Sequence, residues 1–185
     1  KTDITIFTWK GEKDTLMTPM DSIRYYKHFL QTGVMSMEPQ TGYVKAWVGG
    51  INYKHFQYDH VQQGARQVGS TFKPFVYAAA IEQLHISPCD SVIDEPFSMP
   101  KGKYGIDADW NPQNSNGQFR GMVTYKSALA NSINTVSAKL IDRVGPKAVV
   151  DLTHKLGVDS DIPEQPAIAL GAVEITVSDM VAAYS

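Results

Sequence analysis

The chain contains a single cysteine, Cys89, so it can form no internal disulfide, and its place beside Pro88 reads as packing rather than reactivity. Neither charge is in excess. Lys and Arg number 17 against 19 Asp and Glu, for a net charge of −2, and this excludes the basic footprint of a nucleic-acid binder. No apolar run approaches the ~20 residues a membrane-crossing helix needs, and Lys1 does not begin a signal peptide. Both statements concern these residues alone; a membrane anchor is expected only in other parts of a longer parent chain. The five histidines are scattered, and His55 and His60 lack the spacing of a helical ligand pair. Neither a metal site nor a cofactor is expected.

What is present is an ordinary core-forming composition, 43% hydrophobic and 19% charged, in a length that suits one domain. Residues 2–7 alternate polar and apolar and predict a strand, with a turn over 10–13. Thr18 as cap and Pro19 in the first turn predict a helix running to about Gln31 and stopping at Gly33. Residues 35–37 and 43–48, joined by the turn Pro39-Gln40-Thr41-Gly42, read as a β-hairpin. A short extended segment over 57–63 leads to a helix over 70–84. Residues 87–121 read as irregular, and a loop of that length is often functional. Helices then follow over 124–130, 135–144, 146–156 and 178–184.

The strongest chemical signal lies in Gln67-Val68-Gly69-Ser70-Thr71-Phe72-Lys73-Pro74-Phe75. A helix starting at Ser70 places positions i and i+3 on one face, with Cβ atoms roughly 5–6 Å apart. A serine hydroxyl becomes a useful nucleophile only beside a base, and a lysine serves when burial discourages its charge. Phe72, Phe75, Val76 and Ala79 predict a broad buried face for this helix. Gly69 supplies freedom at the turn into it. Ser98-Met99-Pro100-Lys101 repeats the Ser-x-x-Lys pattern, but Pro100 and Gly102 make it a loop, where the two side chains need not meet.

A second pair, Ser132 and Asn134, follows Ser70 by 62 residues in the only Ser-x-Asn of the chain. Ser132 can pass a proton between the lysine and a leaving group, and the Asn134 carboxamide can hold an amide substrate. Taken singly, local capping of a helix start is the simpler account of the same residues.

Together these segments resemble class A penicillin-binding proteins, the 1A type in particular. The likeness extends to Glu38-Pro39-Gln40-Thr41-Gly42 with Val48-Gly49-Gly50, to Trp110-Asn111-Pro112-Gln113-Asn114, and to Leu170-Gly171 with Glu174–Asp179 and Ala182-Ala183-Tyr184. It also takes in Met17–Tyr26, and the segments keep the family's order. The resemblance implies an α+β fold of the penicillin-binding-protein and serine β-lactamase kind, with helices on an incomplete antiparallel sheet. Residues 1–34 would be the entry strand and helix, and 35–185 the N-terminal part of the transpeptidase domain. It implies serine acyl transfer that cross-links peptidoglycan stem peptides ending in D-alanyl-D-alanine, with Ser70 as nucleophile, Lys73 as base and Ser132 as relay. Asn134, Gly69 and Trp110 would belong to the substrate-binding wall, and β-lactams would acylate Ser70. The expected setting is the bacterial cytoplasmic membrane, with this domain facing outward and a glycosyltransferase domain upstream.

Two departures accompany the likeness. Val68 stands where the family usually has proline. The family's Lys-Thr/Ser-Gly strand is absent, which predicts loss of one oxyanion donor, a cost of about a hundred- to a thousandfold in rate. These residues alone are therefore expected to be inactive. Rival readings with the same serine–lysine core are a β-lactamase or D,D-carboxypeptidase, and a non-catalytic β-lactam sensor or interaction module.

Overall fold

Alternation of Thr and Ile gives β1 (Thr2–Thr8), which pairs antiparallel with β2 (Gly11–Met17). The computed structural model describes residues 1–185. The order continues with α1 (Pro19–Tyr26), β3 (Val34–Met37), β4 (Val44–Val48), β5 (Arg66–Gln67), α2 (Lys73–Leu84), β6 (Ser91–Asp94) and β7 (Gly121–Thr124). It closes with α3 (Tyr125–Ala130), α4 (Asn134–Val144), α5 (Pro146–Lys155), β8 (Glu174–Ile175) and α6 (Val177–Tyr184). The strands form four two-stranded antiparallel ladders, β1–β2, β3–β4, β5–β8 and β6–β7. The result is mixed helix and strand with small open sheets.

The main core is helical. From α2 come Phe75, Val76, Ala79 and Ala80; α4 adds Val136, Leu140 and Ile141, and α5 adds Val149 and Val150. Each large side chain fully buried here contributes about 1.5–3 kcal/mol by area. A 3₁₀ turn over Pro166–Leu170 brings Ile168 and Ala169 against α4. The helix carrying the serine–lysine motif is thus held on several sides, as its small and aromatic residues require.

Four expectations need correction. The predicted turn over 10–13 is shorter, because β2 already begins at Gly11. Helix α1 keeps its predicted start, with a reciprocal Thr18–Asp21 capping box, but ends at Tyr26 rather than near Gln31. His28 folds its Nδ1 back to within 2.6 Å of the Arg24 carbonyl, and Phe29 joins a ring cluster with Phe7, Tyr25 and Phe56. Aromatic packing overrides the continuing helical pattern there. Residues 57–63 form no strand, and 60–63 are a turn, since the Asp59 carboxylate accepts the amides of Val61 and Gln62 at 2.8 and 3.2 Å. This is the local bonding by which aspartate competes with extended structure. Within the stretch read as irregular, β6 pairs with β7, and Met99 bridges Trp110.

Candidate active site

Ser70 sits on a 3₁₀ turn, Gly69–Phe72, that runs into α2. The sequence pattern predicts a continuous α-helix from Ser70, and Pro74 explains the difference. In an α-helix the Ser70 carbonyl would accept from the amide of residue 74, which proline lacks. It accepts the Lys73 amide instead, which is the i+3 bond of a 3₁₀ turn.

The entry to this turn is clamped from behind. β5 pairs with β8 through Arg66–Ile175 and Gln67–Glu174, and the Val68 amide donates to Val173 O and the Gly69 amide to Gly171 O, both at 3.1 Å. Gly69 has φ +57° and Gly171 has φ +74°. A Cβ on Gly171 would overlap the Gly69 carbonyl, so only glycine lets the two backbones approach this closely. Tyr184 of α6 donates its hydroxyl to Thr71 O at 2.6 Å.

Lys73 is the chemical centre. Only 1% of it is exposed, and its Nζ donates to Ser132 O at 2.7 Å, Ser132 Oγ at 2.9 Å and Asn134 Oδ1 at 2.6 Å. All three acceptors are neutral. Burial therefore acts unopposed and lowers the lysine from its usual 10.5 to about 8. Ser132 Oγ in turn donates to Ser70 Oγ at 2.9 Å. The sequence reading expects lysine and Ser70 side by side; the geometry instead places Ser132 between them, with no direct hydrogen bond from Lys73 to Ser70.

Ser132 has φ +54°, in the left-handed region. This backbone turns both its carbonyl and its hydroxyl toward Lys73, a conformation that costs an L-residue about 1–2 kcal/mol. Ser132→Gly is accordingly expected to melt higher than Ser132→Ala, by about 1 kcal/mol of stability. Both variants lose the hydroxyl, so thermal denaturation of the pair isolates the backbone term; equal stabilities would show that no strain is stored there.

Asn134 opens α4, and capping alone does not describe it. Its side chain donates to Gln113 O at 2.8 Å while accepting from Lys73, and its amide donates to Asn114 Oδ1 at 2.9 Å. Asn114 is oriented by Asp94, 1% exposed, whose oxygens take both contacts from Asn114 Nδ2 at 2.9 and 3.1 Å. Asp94 also accepts from the Arg120 amide at 2.9 Å and Thr135 Oγ1 at 2.5 Å. Burial raises the Asp94 carboxyl, but the bonds from Thr135, Arg120 and Asn114 outweigh it and hold the group below 3.8. Asp94 escaped the sequence reading; its four-residue strand, Ser91–Asp94, lay inside the stretch read as irregular.

Trp110 is placed differently. Its backbone pairs with Met99, its side chain packs against the main core, and it makes no hydrogen bond to Ser70, Lys73, Ser132 or Asn134. It anchors the segment that delivers Gln113 and Asn114. The Ser98 and Lys101 side chains share no hydrogen bond, and the Lys101 amide donates instead to Asp109 at 2.8 Å. No group of three or more His, Cys, Asp or Glu side chains is placed to hold a metal.

Against known proteins, residues 32–171 match the penicillin-binding protein transpeptidase domain. The chain belongs to that family. Residues 1–30 match the penicillin-binding protein middle domain. Among relatives of this transpeptidase-domain chain, penicillin-binding protein 1A of Neisseria flavescens is 34% identical over 177 residues, covering 95% of the chain and 21% of the relative. Penicillin-binding protein 1A of Aquifex aeolicus is 36% identical over 157 residues, covering 84% and 21%. Among solved structures, penicillin-binding protein 1A from Haemophilus influenzae superposes with a TM-score of 0.77 at 28% identity, covering 83% of the chain and 22% of that protein. PonA1 of Mycobacterium tuberculosis in complex with penicillin V gives 0.69 at 29% identity, covering 89% and 46%. The chain thus spans about a fifth of the length of these curated relatives. No helix in it is long and apolar enough to cross a membrane.

Proposed function

We propose that this chain carries the serine-bearing part of a D,D-transpeptidase that joins peptidoglycan stem peptides and is acylated by β-lactams. The observation that carries the reading is the chain Ser70 Oγ, Ser132 Oγ, Lys73 Nζ, with both links 2.9 Å and the lysine buried. With the lysine near 8, about a tenth of it is neutral at pH 7. Hydroxyl hydrogens rotate freely between partners, so Ser70 can donate to Ser132 while Ser132 donates to neutral Lys73.

Ser70 Oγ then bonds to the carbonyl carbon of the penultimate D-alanine, and its proton comes to rest on Lys73. As the tetrahedral centre collapses, the C–N bond breaks and Ser132 returns that proton to the departing D-alanine nitrogen. An incoming amine reverses the steps: its nitrogen bonds the acyl carbon, Ser70 Oγ leaves, and the amine's proton passes through Ser132. Asn134, already polarised by Lys73 and fixed by Gln113 and Asn114, holds the donor's amide. Gly69 sets the approach of the turn, and Trp110 contributes through the segment it anchors.

In this reading residues 1–34 lead into the domain and 35–185 form the N-terminal part of the transpeptidase unit. The matches to the middle and transpeptidase domains support that division. The parent protein is placed at the bacterial cytoplasmic membrane with this domain outside. The test is intact-mass analysis of the full-length protein after exposure to benzylpenicillin, followed by digestion. A lasting gain of one drug mass on the peptide containing Ser70 is expected. An adduct elsewhere, or rapid drug hydrolysis with no adduct, would overturn the assignment.

A further inference from the structure

A pocket of about 170 Å³ opens beside Ser132, walled by Asn114, Asn116, Gln118, Arg120 and Asn131. Its lining holds one cation and no carboxylate. Arg120 is exposed; its backbone amide is committed to Asp94, but its guanidinium forms no ion pair or hydrogen bond. The side-chain nitrogens of Asn116 and Gln118 likewise have no partner within the protein. Asn131 spends its Nδ2 on the Ser127 carbonyl at 2.9 Å. Asp94, the carboxylate nearest in the network, already has its oxygens occupied by Asn114, Thr135 and the Arg120 amide. The pocket therefore presents unused donors to an anion, with a planar guanidinium suited to a carboxylate.

Of Ser70, Lys73, Ser132 and Asn134, only Ser132 lines the pocket. On the transpeptidase reading above, Ser132 hands the proton to the leaving nitrogen and takes it from the entering one. On that reading a pocket lined by Ser132 is assigned to the amine side of the reacting carbonyl. We infer that this pocket, through Arg120, binds a carboxylate carried by the acceptor amine within two or three bonds of its nitrogen. It selects amino-acid-type acceptors over amines that lack the charge. In the step it favours, the acceptor nitrogen bonds to the acyl carbon and Ser70 Oγ departs. The nitrogen's proton passes to Ser132 Oγ, whose own hydroxyl proton goes to Ser70 Oγ, its hydrogen-bond partner at 2.9 Å.

The experiment follows the full-length protein turning over the N-benzoyl-D-alanyl thioester of thioglycolate. D-alanine or D-alaninamide is supplied at equal free-amine concentration. The ratio of new amide to free acid is set after acylation, so it does not depend on how the donor was bound. Wild type is expected to favour D-alanine. Arg120→Gln is expected to lower the D-alanine ratio about 10- to 100-fold, the scale of one charge-assisted contact, and to move the D-alaninamide ratio less than about twofold. Arg120→Lys is expected to recover part of the loss. Equal sensitivity of the two acceptors to Arg120→Gln, or no sensitivity in either, overturns the inference while leaving the transpeptidase reading intact. A wild-type protein that neither forms a benzylpenicillin adduct nor consumes the thioester overturns that reading, and this inference with it.

Discussion

Lys73→Ala is expected to slow benzylpenicillin acylation of Ser70 by about 10²–10⁴-fold, the range typical of removing a positioned general base. The protein should remain folded, because the core contributions of α2 from Phe75, Val76, Ala79 and Ala80 are untouched. Stopped-time labelling followed by mass measurement reads the rate. Its pH dependence supplies an independent check. On the proposed mechanism the neutral lysine is the active form, so the wild-type rate should rise with pH through about 8 and level off above it. In Lys73→Ala that rise should disappear. Stability has its own sign. The folded value near 8 lies below the ordinary 10.5, so between them the unfolded chain binds more protons and stability increases with pH. Below pH 8 both states hold the proton and this contribution is flat. A rate in Lys73→Ala within a few-fold of wild type would remove lysine from the role of base and leave Ser132 without a proton acceptor.

The membership of the cluster was more legible than its geometry. Ser70, Lys73, Ser132 and Asn134 stand out by type and spacing, and the fold gathers them into one hydrogen-bonded cluster. The order of linkage was not legible. An i, i+3 pair says that two side chains share a face, yet the lysine turns from Ser70 because three acceptors wait on the far segment at Ser132 and Asn134. That preference depends on a long-range contact between α2 and the start of α4, and local spacing carries no information about it. The same limit explains α1, cut short by an aromatic cluster with β1 and Phe56, and β6, which exists through pairing with β7 about thirty residues on. Local rules succeeded where the signal itself was local. Thr18 caps α1 as its sequence predicts, its hydroxyl accepting the Asp21 amide three residues on. Pro74 is intermediate. A proline in a first helical turn is compatible with the helix predicted over 70–84, whereas its conversion of that turn to 3₁₀ required asking which carbonyl loses a donor.

Asp94→Ala is expected to destabilise the domain by about 2–4 kcal/mol, because it strips the carboxylate from the buried Thr135 hydroxyl and the part-buried Arg120 amide. Asn114 Nδ2 keeps the Gln118 carbonyl at 2.9 Å, so its carboxamide loses its orientation rather than every partner. That matters for function, since Asn114 Oδ1 holds the Asn134 amide and Asn134 shares Lys73 with Ser132. Acylation by benzylpenicillin should fall together with the denaturation midpoint. Loss of stability with an unchanged acylation rate would make Asp94 a core residue only, uncoupled from Asn134. The acid limb gives the sign check. Asp94 is held below its ordinary 3.8, so its contribution is complete above that value and is lost as pH falls through the lower folded one. The difference between wild type and Asp94→Ala should therefore be constant above about pH 4 and shrink below it. Such convergence would mean that an ionised group, three hydrogen bonds away from the lysine through Asn114 and Asn134, sets where Asn134 stands beside Lys73.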